Sequence, residues 1–323
     1  MSVIVYTENW DGKFKKLSFE LASYTAKLAE ILDTESIAVS IGKVEQEELK
    51  KLGTYGIQKI ISVEDDLMKQ FDTQTYTKVI ADISEKESAK VIVLADNNAG
   101  KSLAPRLSVR LKAAVASGVN QLPDSTSPFV IKKRVFSGNA FASMKLNTDI
   151  KILTLAQNSF DLAENPADTV VQKADTDLQG IAPKAEIKDV QKQTGQLLLT
   201  DAEIVVSGGR GMKSPDNWAP IEEFASLLNG ATACSRPVSD EGWRPHEEHT
   251  GQTGKIIAPN VYFAIGISGA TQHLAGISAS KYIIAINNDK DAPIFDAAQY
   301  GIVGDASKIL PKLVEALKKA KSA

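Results

Sequence analysis

A chain of 323 residues, with 43% hydrophobic and 24% charged side chains, has the make-up of an ordinary globular protein with ample material for buried cores, and its length favours two domains. A net charge of −3 offers no electrostatic footprint for nucleic acid or an anionic membrane, and no run approaches the 18 apolar residues of a membrane span. The single cysteine, Cys234, excludes an internal disulfide and fits a reducing compartment.

Residues 3–6 read as a short buried strand, so close to the first residue that no signal or transit peptide is expected before it. The chain therefore reads as cytoplasmic and prokaryote-like. Residues 14–32 carry Leu17, Leu21, Tyr24, Leu28, Ile31 and Leu32 at helical spacing. Residues 37–41 read as a strand, 45–52 as a short charged helix stopped by Gly53, and 57–62 as a third strand. Residues 91–94 are the strongest strand signal of this half, followed by a helix over 102–115. Strands alternating with helices through residue 120 predict a parallel α/β sheet. Residues 129–135, 140–146 and 150–155 are extended and alternating, and Gly138-Asn139 is a turn candidate. These three segments are expected as an antiparallel addition to the first sheet. Residues 160–198 are polar, with Pro166, Gly180 and Pro183, and a domain junction is expected near residue 192.

The α/β rhythm returns at Ala202. Residues 203–206 read as a strand that ends in Ser207-Gly208-Gly209-Arg210-Gly211. Ser214-Pro215 then opens a helix with Trp218, Ile221, Ala225 and Leu228 on its apolar face. Residues 232–253 read as a polar loop. Further strands are expected at 256–264, 282–286 and 302–303. A last helix carries Leu310, Leu313, Val314 and Leu317 on one face.

The organising stretch is residues 251–273. Two glycine-bearing polar loops, Gly251-Gln252-Thr253-Gly254-Lys255 and Gly266-Ile267-Ser268-Gly269-Ala270-Thr271-Gln272-His273, flank an apolar strand. Their polar atoms can converge at one sheet end as the floor of a nucleotide cofactor site. The glycines at 208, 209 and 211 follow a strand, where backbone can approach a phosphate and Arg210 can add a charge-assisted bond. A tight turn with a surface arginine fits the same residues, and the spacing is not the dinucleotide fingerprint G-x-G-x-x-G. Gly100-Lys101-Ser102 lacks the earlier glycine of a P-loop, since Ala95 stands there, and reads as the start of a helix. His246-Glu247-Glu248-His249 has its histidines three apart rather than four, so a zinc-protease helix is excluded and a solvated loop is expected. Residues 131–134 read as a solvated charged face. Cys234 reads as a packing residue.

Taken together, Ser207-Gly208-Gly209-Arg210-Gly211, Ser235-Arg236-Pro237, the two loops above continued by Leu274-Ala275-Gly276, Ala285-Ile286-Asn287 and Ala292-Pro293-Ile294-Phe295 occur in an order that closely resembles the alpha subunit of electron-transferring flavoproteins. The resemblance covers essentially all of residues 202–317 and extends more loosely into the first half, through residues 91–94, Gly100-Lys101, Pro105-Arg106, Phe136 and Gly138-Asn139-Ala140. It implies two Rossmann-like parallel-sheet α/β domains: a scaffold over 1–192 contacting a beta subunit, and an FAD-binding domain over 193–323. It also implies one FAD per heterodimer, held without a covalent bond. Carried over by residue, Arg210 and Ser235 hold the pyrophosphate, and Arg236 lies against the isoalloxazine ring. Thr253 places its hydroxyl at N5, with Gln252 and Gly251 beside it. Ser268, Gly269, Ala270, Thr271, Gln272 and His273 line the ring and ribityl chain, His273 near the C2 carbonyl as a protonated or donating group. Asn287 and Asp305 bind the adenosine end. Thr250 departs from the apolar residue the family pattern has there, and is expected to act through its backbone if at all. The His-Glu-Glu-His run is no part of that pattern. The implied function is an electron carrier of fatty acid beta-oxidation, with no catalytic residue or metal of its own. It accepts electrons from acyl-CoA dehydrogenases or related flavin dehydrogenases and passes them to a membrane quinone oxidoreductase. The alternatives are the alpha subunit of an NADH-dependent electron-bifurcating complex and a nucleotide-binding assembly protein without redox chemistry.

Overall fold

A computed structural model describes residues 1–136, 140–174, 188–189 and 197–322. They form two compact units, each with its own main sheet. The expected junction near residue 192 and the Gly138-Asn139 turn lie outside the described residues.

The main elements of the first unit are β1 (Ser2–Thr7), α1 (Lys16–Ile31), β2 (Glu35–Ile41), β3 (Lys59–Val63), α2 (Thr73–Lys86), β4 (Ala89–Ala95), α3 (Asn98–Leu111), β5 (Ala114–Val119), β6 (Phe129–Val135), β7 (Ala140–Lys145), β8 (Lys151–Leu155) and β9 (Val170–Lys173). The sheet runs β7-β6-β5-β8-β4-β1-β2-β3-β9. Both faces of its centre are buried: Val3 and Val5 enter one core while Ile4 and Tyr6 enter the other. That two-sided burial explains why β1 reads as a continuous apolar run rather than an alternation.

Four expectations need correction here. β8 is a parallel strand between β4 and β5, and only β6 and β7 form the antiparallel addition, β6 also running antiparallel to β5. Gly53 lies inside a 3-10 turn, Lys51–Tyr55, and the stop is Gly56 at φ 89°. The helix expected at 102–115 starts earlier, because the Asn97 side chain caps the Gly100 N–H at 3.0 Å, and it ends before β5. Asn is among the strongest N-cap residues, so Lys101 and Ser102 sit inside the first turns. Phe14 belongs to a two-strand hairpin (Asn9–Trp10 with Lys13–Phe14) rather than to α1.

The second unit contains β10 (Ile204–Gly208), α4 (Ala219–Leu227), β11 (Ala231–Cys234), α5 (Arg236–Asp240), β12 (Val261–Ile265), α6 (Thr271–Ile277), β13 (Tyr282–Asn287), β14 (Tyr300–Val303) and α7 (Ala306–Ser322). Its five strands are all parallel, in the order β11-β10-β12-β13-β14. The neighbours Val205 and Val206 point to opposite cores, the first with Tyr262, Ala264 and Ile277, the second with Trp218, Ile221, Ile265, Leu310 and Val314. The stretch 232–253 is not simply a loop: it contributes the end of β11, then α5 and a 3-10 turn, His246–Glu248. Ser214 caps a 3-10 turn, Pro215–Asn217, which leads into α4.

Candidate functional site

Strand order reverses direction between β10 and β12: from β10 the chain first adds β11 on one side, then crosses to the other. In open parallel sheets, ligands bind in the crevice beyond the strand C-termini at such a switch point. A cavity of about 640 Å³ lies there. Its wall takes residues just past four strands: Arg210 and Gly211 after β10, Ser235 and Arg236 after β11, Gly266, Ile267 and Ser268 after β12, and Asn287 at the end of β13. Gly251, Gln252, Thr253, Ala270, Gln272 and His273 complete most of the rest. The two glycine-bearing loops therefore do converge at one sheet end.

The glycines account for how closely these loops pack. A Cβ on Gly209 would lie 2.2 Å from the Gly266 carbonyl oxygen, and one on Gly276 2.4 Å from Gly251 Cα. The amides of Gly209 and Gly211 donate to Ile265 and Gly266 at 2.8 and 3.0 Å. Close backbone approach is thus real at 208–211, but its partner is the neighbouring loop. Arg210–Met212 form a 3-10 turn, and the Gly209 and Gly211 N–H groups are already spent on these bonds. The side chain of Arg210 remains at the rim, with only a loose 3.8 Å contact to Glu241.

The wall has a buried floor and an exposed mouth. Ser235, His249, Thr250, Gly251, His273 and Asn287 are buried; Arg210, Arg236, Gln252, Thr253, Ser268 and Gln272 are exposed. At the mouth, Arg236 pairs with Asp240 at 3.3 Å and reaches the Thr253 hydroxyl at 3.4 Å. Exposed pairs of this kind hold weakly, so the guanidinium can change partners at little cost. On the floor, His273 Nε2 lies 2.9 Å from the Tyr262 hydroxyl, which lies 3.2 Å from the Thr250 hydroxyl. Thr250 also donates to the Cys234 carbonyl at 3.2 Å. Its side chain, not only its backbone, is built into the site.

Burial pushes the His273 imidazole down to about 4, the Thr250 carbonyl opposing and nearby His249 adding to the effect. His273 is therefore neutral at pH 7, and of the two forms expected, the protonated one is disfavoured. An unfolded histidine binds its proton near 6.5 while the folded one stays neutral, so stability is fully present above pH 6.5 and is lost as pH falls towards 4. The window is worth about 3 kcal/mol. Urea unfolding at pH 7, 5 and 4 is expected to show that loss in the wild type and a smaller one in His273→Gln; equal losses refute the assignment.

Three expected contacts are not in the cavity wall. Gly269, at φ 86°, packs where a Cβ would meet the Ile294 nitrogen at 2.3 Å. Thr271 is the exposed first residue of α6. Asp305 accepts from Ser307 at the start of α7 and pairs with Lys213 at 3.1 Å, which pulls its carboxyl down to about 2. Asn287 lines the cavity, but its amide donates to the Ile267 carbonyl at 2.8 Å and its oxygen accepts from Asp289 at 2.9 Å, shaping the loop. Cys234 is fully buried and its thiol is pushed up to about 12, which suits a packing residue.

The solvated-loop reading of residues 246–249 fails at its second half. Arg244 holds Glu248 through two bonds of 2.9 and 2.6 Å, and His249 is buried in the cavity wall. His249, which lines the cavity, and Tyr262, which holds His273, were not singled out for the site by pattern. Only the proximity of His249 to Gly251 and Gly254 hinted at a ring inside the turn.

The donors suit a flavin nucleotide. The Arg210 guanidinium and the Ser235 hydroxyl match a doubly charged pyrophosphate, the Arg236 guanidinium suits a ring edge that gains negative charge, and the buried Nδ1 atom of His249 stands without a hydrogen-bond partner. A doubly wound parallel sheet with such a crevice defines a nucleotide-cofactor-binding α/β domain. The electron transfer flavoprotein FAD-binding domain model matches residues 198–278, and the electron transfer flavoprotein domain model matches residues 3–178. The alpha subunit of electron transfer flavoprotein from Syntrophomonas wolfei is 33% identical over 316 residues, covering 98% of both chains. That of Megasphaera elsdenii is 35% identical over 328 residues, covering 99% of this chain and 97% of the relative. The acryloyl-CoA reductase electron transfer subunit beta of Anaerotignum propionicum is 32% identical over 357 residues, covering 99% and 96%. The chain belongs to the electron transfer flavoprotein alpha-subunit family, and its cofactor is FAD.

Proposed function

We propose that this chain pairs with a beta subunit and works as an electron carrier. It would take electrons from acyl-CoA dehydrogenases or related flavin dehydrogenases and pass them to a membrane quinone oxidoreductase. The observation that carries this reading is the switch-point cavity, with an exposed cationic mouth and a buried neutral floor. Bound FAD supplies the acceptance and release of electrons. Arg210 and Ser235 hold the pyrophosphate, and Arg236 brings positive charge to the ring edge that becomes negative on reduction. Thr253 offers a hydroxyl beside Arg236, and neutral His273 is held in orientation by Tyr262. An exposed mouth leaves that edge open to docking partners. The resemblance to an acryloyl-CoA reductase electron transfer subunit supports a partner linked to acyl-CoA chemistry. No helix among the described residues is long and apolar enough to cross a membrane. The domain division is proposed at residue 192, with the first domain as the scaffold that meets the beta subunit.

Anaerobic titration of the purified heterodimer tests the reading. One flavin per dimer, reduced through an acyl-CoA dehydrogenase and indifferent to NADH, is expected. Two flavins with reduction by NADH would instead mark a bifurcating complex, and a colourless dimer would exclude both. Thr253→Ala is expected to retain FAD and to change its potential; an unchanged potential would remove Thr253 from the ring.

A further inference from the structure

His249 stands apart from every residue that the motifs single out for the cofactor. Its side chain is 3% exposed and forms part of the cavity wall. Nδ1 is buried without a hydrogen-bond partner, a state that folded proteins seldom leave unanswered. The following loop is shaped around the ring: a Cβ on Gly254 would lie 2.7 Å from Nδ1, and one on Gly251 3.4 Å from Nε2. The His249 carbonyl closes that loop by accepting from the Lys255 N–H at 2.8 Å. The imidazole therefore packs against Gly251 and Gly254, the two ends of the turn that carries Gln252 and Thr253, and Arg236 reaches Thr253 at 3.4 Å. Charged and titratable groups belong to each surrounding element: Arg236 and Asp240 to α5, His246 to the preceding turn, His273 to α6, and Cys234 to β11, which bridges His249 through its backbone. Burial, then His246 and Arg236, hold His249 below its usual range, with Asp240 opposing. The ring is thus neutral at pH 7, with one N–H and one free lone pair.

We propose that His249 is a redox-linked proton acceptor of the flavin cavity. The proposal rests on the reading of this cavity as the FAD site. An electron from a reduced flavin dehydrogenase, or from dithionite in vitro, adds one negative charge to the cavity. His249 answers by taking one proton from solvent onto its free ring nitrogen. The new N–H bond forms as one O–H bond of a hydronium ion breaks, a water molecule is left behind, and the electron remains in the cavity. A nearby negative charge favours the charged imidazole, so the driving force is ordinary electrostatics. Arg236 cannot play this part, because a guanidinium keeps its charge at every working pH. His273 is committed to Tyr262 at 2.9 Å and lies deeper in its neutral form. His249 is the cavity group whose charge can follow the electron near neutral pH.

The chain contains three histidines, so with this subunit alone isotope-labelled its imidazole resonances can be followed one by one in the FAD-loaded heterodimer. The wild type is titrated by NMR in its oxidised and dithionite-reduced forms. His249 is expected to titrate at a clearly higher pH when reduced. In parallel, the flavin potential is measured against pH for the wild type and His249→Gln. Full linkage changes a one-electron equilibrium tenfold per pH unit, or about 59 mV. The wild type is expected to exceed the variant by at least about twofold per pH unit between roughly pH 5.5 and 8. Identical His249 titration in both redox states, with equal slopes in the variant, overturns the proposal. If FAD added to the apo-protein moves neither His249 nor His273, the cavity reading itself fails. A shift confined to His273 leaves that reading intact and sinks only the role of His249.

Discussion

Gly276→Ala is expected to cost the protein its FAD, even though alanine is the better helix former. Gly276 lies inside α6, where alanine gains about 1 kcal/mol over glycine by propensity alone. Packing decides otherwise. The new Cβ would lie 2.4, 2.5 and 2.8 Å from Gly251 Cα, nitrogen and carbonyl carbon. These are backbone atoms, so relief requires the whole 251–254 loop to move away from α6. That loop carries Gln252 and Thr253 into the cavity and is tied to α6 by Gln252 N–H donating to the Gln272 carbonyl at 2.8 Å. Overpacking of this kind costs about 1–3 kcal/mol, and a displacement near 1 Å at a binding loop costs about a hundredfold in function. Equilibrium FAD titration should therefore show affinity reduced by roughly two orders of magnitude. Gly242→Ala is the control: it is strained at φ 72°, but nothing lies within 4 Å of its Cβ, so FAD affinity should hold. Full FAD affinity in Gly276→Ala would mean that the loop does not form the cavity.

Arg236→Ala should retain FAD and lower its potential. A unit charge about 4 Å from the reduced ring is worth roughly 4 kcal/mol at an effective dielectric near 20, and about 1 kcal/mol in bulk water. For one electron these limits are about 170 and 40 mV. The Arg236 side chain is 62% exposed and shares its charge with Asp240, so water and the ion pair bring the effect towards the lower limit. The effect should shrink with added salt, because an exposed charge is screened. Spectroelectrochemistry of the variant gives the answer, and a potential that stays put or rises contradicts the charge argument.

The second unit was legible where glycines and polar residues cluster at strand ends, because both depend on local backbone geometry. Eleven of the fourteen expected contacts line one cavity: Arg210, Ser235, Arg236, Gly251, Gln252, Thr253, Ser268, Ala270, Gln272, His273 and Asn287. Asp305 was not legible as a cap, since an Asp before Ser307 reads equally as a ligand or a helix start. The burial of His249 and of the Thr250 side chain escaped because it is a tertiary fact: β11 pairs through Cys234 with His249 and draws a polar stretch inward. Tyr262 was masked by its place in an apolar strand, where its hydroxyl gives no periodic signal. In the first unit, α2 went unread despite Asp72 capping Thr75 and an apolar face of Tyr76, Val79, Ile80 and Ile83. Mean polarity concealed that face, and the parallel place of β8 depends on strand order, which periodicity does not encode.

The account turns on where FAD sits, and a crystal structure of the FAD-loaded heterodimer tests that most directly. Density for the isoalloxazine ring between Arg236 and Thr253 at the mouth and His273 on the floor, with the pyrophosphate at Arg210 and Ser235, is the predicted result. Flavin density anywhere other than the crevice beyond β10 and β12 would contradict it.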